Sequence, residues 1–183
     1  AGCNSFALCS DIIYHEYGHA IAEKFYDDLT GDGMWNGALN EGQADVWAMG
    51  ATNDPKIGEG AYVSGAGLIR RYDQSPKVYP QDIMGEVHAD GQIIAGAWWD
   101  VAVNTGSVDT MMKLFTRTWY DTPDGPNGTE GAVYHDVLIS ALLNDDDDQD
   151  LSNGTPNFIA IVNAFARHGI YLLAGAEVEH AEI

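Results

Sequence analysis

His15, Glu16 and His19 stand in the order His-Glu-x-x-His, with Tyr17 and Gly18 between them. On a helix, histidines four residues apart project from one face, one turn above the other, close enough to share a metal ion. Glu16 is rotated off that line. It is poorly placed to ligate but well placed to act as general base on a water activated by the metal. Those three side chains are the minimal equipment for hydrolysing a peptide bond with zinc. The same spacing also fits two surface or core histidines on a helix, so a third ligand is what separates the readings.

The positioning helix is expected over 11–25, with Ser10 or Asp11 as N-cap and apolar residues at Ile12, Ile13, Ala20, Ile21 and Phe25. Gly18 leaves room on its surface for a ligand or a neighbouring backbone. One source of a third ligand, a histidine six residues beyond the second, fails because that position is Phe25. A carboxylate from the next helix is the other source, and Asn40-Glu41-Gly42-Gln43-Ala44-Asp45 offers two on one face. Glu41 can ligate while Asp45 accepts the free ring N–H of a ligand histidine, fixing its tautomer. An acidic, solvated face is the alternative. Ala38, Leu39, Ala44, Trp47, Ala48 and Met49 are too apolar for a freely exposed helix, and buried carboxylates need positive charge to face.

HEYGHAI followed by NEGQAD resembles the gluzincin metallopeptidases, the thermolysin-like group whose pattern is HExxH and then NExxSD. Glu41-Gly42 with Trp47 after it is most similar to the fungalysin branch. Gly67-Leu68-Ile69-Arg70-Arg71-Tyr72 and Glu86-Val87-His88-Ala89-Asp90-Gly91 resemble stretches further along such enzymes, so the similarity runs from Ser10 to Val103. The resemblance implies zinc held by His15, His19 and Glu41, Glu16 as base, and Asp45 orienting a ligand histidine. It implies His88 as the group that stabilises the oxyanion, and Arg70 or Arg71 as a binder of substrate carbonyls. Ala44 replaces the family's usual serine. Only Tyr26 lies between His19 and Glu41, so no tyrosine is available there as a second oxyanion donor. Taken alone, His88 reads as a cap or packing residue before Ile93, Ile94, Ala97, Trp98 and Val101; its place in the motif order points to catalysis. His135, His168 and His180 have no such context and read as structural or surface residues.

Formal charge is −20 at pH 7, from 28 acidic and 8 basic residues. That argues against nucleic acid and anionic membrane as partners, since both require basic patches. It suits secreted, calcium-binding or salt-adapted proteins, and an extracellular setting is expected. In such a setting Cys3 and Cys9 can close a small loop ahead of the first helix, or stand as two free thiols. Apolar stretches stop well short of the ~20 residues that span a bilayer. The 183 residues, 45% of them hydrophobic, suffice for one globular domain.

Helices are expected over 11–25, 39–51, 90–104, 108–119, 130–143 and 157–168, with glycine- and aspartate-rich loops between them and short strands near Tyr62 or Val78. The fold class is therefore mainly α, a single catalytic domain over 1–183 resembling the helical C-terminal lobe of a zincin-like metallopeptidase with little β structure. In the family a β-rich lobe precedes HExxH. Here the chain opens on Ala1 and only fourteen residues precede His15. A processed or excised piece is expected, its N-terminal lobe or propeptide missing or supplied by another segment.

Asp146, Asp148 and Asp150 alternate as the first ligands of a calcium loop do. Leu151 stands where an EF-hand has its glycine, and a solvated acidic turn is the other reading. Asn127-Gly128-Thr129 and Asn153-Gly154-Thr155 match glycosylation acceptors. The expected function is a zinc-dependent endopeptidase acting on protein or peptide substrates. Its rival is a non-catalytic metal-binding adhesion or interaction domain, against which the intact Glu16 argues.

Overall fold

Among the described residues, helix periodicity, caps and glycine stops produce six α-helices and one minimal sheet. The computed structural model describes residues 2–65, 67–148 and 150–172, so His180 lies outside the described residues. In order the elements are α1 (Ser10–Thr30), α2 (Gly37–Thr52), β1 (Lys56–Ile57), β2 (Arg70–Arg71), α3 (Val87–Thr105), α4 (Val108–Thr118), α5 (Glu130–Asp145) and α6 (Phe158–Arg167). The fold is mainly α, as the apolar spacing predicts.

Helix α3 carries buried Ile93, Ile94, Ala95, Ala97, Trp98 and Val101. A helix apolar around so much of its circumference must be covered on several sides, and α2, α4 and α6 all pack on it. Helix α2 lies in turn between α1 and α3. Both crossings depend on glycine. A Cβ at Gly18 would sit 3.0 Å from the Ala44 Cα and the Trp47 Cβ, so the room Gly18 leaves on α1 is filled by the backbone of α2. A Cβ at Gly42 would lie 2.3 Å from Ile94 Cγ2 and 2.7 Å from the Gly91 carbonyl. Helices α2 and α3 thus meet almost backbone to backbone, one residue from Glu41.

That contact gives a test of opposite sign to helix propensity. In an exposed helix interior, Gly→Ala stabilises by roughly 1 kcal/mol. At Gly42 the added methyl overpacks the crossing, so Gly42→Ala is expected to destabilise by about 1–3 kcal/mol. Urea denaturation measures it, and a gain in stability would mean the helices are further apart than described.

Several boundaries differ from expectation for identifiable reasons. The N-cap of α1 is Cys9, not Ser10 or Asp11. The Asp11 carboxylate instead reaches across the chain, accepting from Gly58 N at 2.5 Å and Glu59 N at 3.2 Å. Helix α1 also runs five residues past Phe25. Buried Tyr26 anchors that extra turn by donating to the Pro123 carbonyl at 3.1 Å, and Gly31, at φ +84°, ends it. The strands form at 56–57 and 70–71, with Lys56 opposite Arg71 and Ile57 opposite Arg70. Tyr62 makes only an isolated bridge with Cys3, and Val78 is held by the Asp82 side chain. Cys3 and Cys9 are both free, one exposed and one buried. Among the described residues no helix is long and apolar enough to cross a membrane.

Candidate metal centre

The start of α2 is fixed before its carboxylates come into play. Asn36 caps the helix by accepting from Leu39 N at 2.8 Å. The 122–129 loop then grips the entering backbone: Asp124 accepts from Trp35 N at 2.7 Å and Asn36 N at 2.9 Å, and Asn127 accepts from Gly37 N at 2.7 Å. Asn127, an expected glycosylation acceptor, therefore has its side-chain oxygen engaged in holding α2.

With α1 and α2 pressed together at Gly18, the side chains of His15, His19 and Glu41 converge, their potential ligand atoms all within 4.8 Å of one another. The separations are 3.0 Å between the two Nε2 atoms, 3.3 Å from His15 Nε2 to Glu41 Oε2 and 3.6 Å from His19 Nε2 to Glu41 Oε1. Tetrahedral ligands about 2.0–2.1 Å from a zinc-sized ion stand ~3.3 Å apart. The three edges bracket that value.

The far side of each imidazole decides what faces inward. His15 Nδ1 lies 2.6 Å from Asp45 Oδ1. Burial pushes the Asp45 carboxyl up, but hydrogen bonds from His15 and Arg70 outweigh it and hold the group below the usual carboxylate range. In the neutral imidazole that a metal requires, an ionised acceptor places the proton on Nδ1 and leaves the lone pair on Nε2. His19 Nδ1 meets Asn40 Oδ1, whose amide nitrogen donates to Glu23. Glu23 thereby sets which end of Asn40 faces the ring, and the Nε2 of His19 is bare as well. Two imidazole lone pairs and a carboxylate then point at one spot, and among the described residues the buried Glu41 Oε2 faces His15 Nε2 at 3.3 Å with no well-formed hydrogen bond.

Such a spot favours positive charge, whether a proton on His15 or a metal ion. Burial opposes charge on His15, yet Asp45 and Glu41 overcome it and raise its pKa to about 9. Burial likewise pushes Glu41 up, while His15 and His19 pull it lower than normal. The donor set, with its outer nitrogens occupied and its inner atoms spaced for tetrahedral bonds, fits a divalent metal that prefers nitrogen and oxygen.

Asp45 is itself clamped. Arg70 donates to it from Nε at 2.6 Å and Nη2 at 2.9 Å, and the Tyr72 hydroxyl donates to its second oxygen. The sequence offers Arg70 and Arg71 to substrate carbonyls; the structure gives both guanidinium groups carboxylate partners, Asp45 for Arg70 and Asp73 for Arg71. Arg70 nonetheless borders the cleft beside the metal centre.

Glu16 is outside the converging set. Its exposed side chain lines a cleft of about 330 Å³ together with His15, His88, Ile12, Ile69 and Arg70. His88 stands at the first turn of α3, where its Nε2 comes within 3.3 Å of Glu41 Oε1. Glu86 caps that helix through His88 N and Ala89 N and also takes the His88 Nδ1 at 2.6 Å. One carboxylate thus starts the helix and turns the ring. His168, by contrast, is buried between the Lys77 carbonyl and Asp100, away from the centre.

The acidic segment departs from the alternating set. Asp146, Asp147 and Asp148 are the carboxylates that cluster. Asp150 instead accepts from Ser152, capping the short turn over 151–153, and Asp148 accepts from Asp150 N and Asn153. Sequence reasoning assigns no part to Asn40, Glu23, Tyr72 or Glu86. Glu86 alone carried a local signal, an acidic residue just ahead of a helix start.

Compared with family models, curated proteins and solved structures, the chain matches none of them.

Proposed function

We propose that this chain is a zinc-dependent endopeptidase. One observation carries the reading: His15, His19 and Glu41 present bare donor atoms to a single point while Glu16, one residue from a ligand, opens on the adjoining cleft. The chemistry zinc supplies when bound is Lewis acidity toward a carbonyl and toward water. Everything else falls to the chain's own side chains. Glu16 removes a proton from the attacking water as its oxygen bonds to the scissile carbonyl carbon. When the C–N bond breaks, Glu16 returns that proton to the departing amine nitrogen. With both ring nitrogens protonated, His88 donates from Nε2 to the developing oxyanion while Glu86 accepts from Nδ1. Arg70 and Tyr72 keep Asp45 aimed at His15, which would hold the His15 ring turned toward a bound metal.

Casein hydrolysis at neutral pH tests the proposal. Zinc-loaded protein is expected to cleave, a chelator to stop it, and added zinc to restore it. Zinc-loaded protein that leaves casein and short peptides intact would overturn the peptidase reading.

The support around His15 makes its own prediction. Asp45→Asn keeps the shape but removes the charge that holds Nδ1–H, so zinc affinity should fall about 10–100-fold. Competition against a chromophoric chelator measures this. Unchanged affinity would mean Asp45 serves Arg70 and Tyr72 alone.

A further inference from the structure

A second, larger cleft of about 550 Å³ adjoins the first, and Ile69 and Arg70 line both. Its walls include Arg71 and Lys77 as well as Arg70, and no aspartate or glutamate among the described residues. In a chain with 28 acidic and only 8 basic residues, three basic side chains around one cavity whose described lining holds no carboxylate is a local concentration of cations. The carboxylates that balance these cations sit outside the lining. Asp45 takes Nε and Nη2 of Arg70, and Asp73 takes Nε and Nη2 of Arg71. That leaves Nη1 of each arginine without a hydrogen bond among the described residues. Lys77 Nζ reaches Asp82 only at 3.9 Å.

The two clefts share a floor. His88, Gln92 and Gly96 are spaced four apart on α3 and therefore lie in one row. His88 lines the cleft beside the metal centre, whereas Gln92 and Gly96 line the larger one. Eight residues of helix advance ~12 Å, the span of three to four residues of an extended peptide at ~3.3 Å each. Resting on the peptidase reading, we infer that the larger cleft is an extended substrate subsite for a carboxylate side chain, carried three or four residues from the scissile bond and met by Arg71 and Lys77.

The experiment uses one neutral peptide scaffold with a single Glu, Gln or Lys moved through every position on both sides of the cleaved bond. Wild-type protein should favour Glu over Gln by about fivefold in kcat/KM at a position three or four residues away, the upper end for an exposed ion pair. In Arg71→Gln/Lys77→Gln that ratio should fall to about one, and in Arg71→Glu/Lys77→Glu the preferred residue should become Lys. Zinc content of each variant reports an intact centre. Binding of the same peptides to zinc-loaded Glu16→Gln, followed by fluorescence anisotropy, gives the preference without turnover. Cleavage with no Glu preference, or with one that survives both double substitutions, would overturn the subsite and leave the peptidase reading standing. Charge-dependent binding without cleavage by wild type would do the reverse.

Discussion

Glu16→Gln is expected to keep its zinc and lose nearly all turnover. Glu16 is not among the atoms that converge on the centre, so exchanging its carboxylate for an amide removes no ligand. It does remove the one carboxylate that lines the adjoining cleft among the described residues, and with it the proposed acceptor for the proton of the attacking water. A positioned general base contributes typically about 10²–10⁴ in rate, and kcat should drop by that factor with KM little changed. Metal analysis and steady-state kinetics on the same preparation separate the two properties. Zinc lost along with activity would make Glu16 a ligand and end the proposed division of labour.

His19→Ala is expected to empty the site. Among the described residues His15, His19 and Glu41 converge on the proposed metal position, and Asn40 cannot replace His19 because its side chain is committed to Glu23. Two remaining donors, His15 Nε2 and Glu41, cannot enclose a tetrahedral ion. Equilibrium dialysis should show zinc occupancy near zero at concentrations that saturate the wild type, with helical circular dichroism retained because His19 is only part-buried. Full occupancy in this variant would place the metal elsewhere.

The parts of this centre that were legible before the fold are those governed by one helix at a time. Histidines at 15 and 19 must share a face once the segment is helical, and so must Glu41 and Asp45. Helix existence followed from apolar spacing in all six cases. Helix ends did not, because they depend on remote partners: Tyr26 finds Pro123 and carries α1 onward, while Asp11 is drawn to the 58–59 backbone instead of capping its own helix.

What stayed hidden were pairings between distant positions. Nothing local to Tyr72 or Arg70 announces that both will close on Asp45, 27 and 25 residues away respectively, or that Glu23 will orient Asn40 across 17 residues. Gly18 reads as room for a ligand or a neighbouring backbone, but only the crossing of α1 with α2 chose between them, and nothing local marked Gly42 as the seat of α3. In the acidic run, alternation picks out Asp146, Asp148 and Asp150; among the described residues Asp146, Asp147 and Asp148 cluster, while Asp150 accepts from Ser152.

The sequence by itself determined which side chains can ligate and which can move a proton, because the rise and turn of a helix place residues i and i+4 together whatever surrounds them. Only the tertiary structure decided that two such helices meet at Gly18 and a third crosses at Gly42, bringing a carboxylate and two imidazoles to one point. Only it gathered Arg70, Arg71 and Lys77 around a second cleft. Backbone approach distance is set by the absence of particular side chains at a crossing, and that absence acquires meaning only when the partner helix is in place.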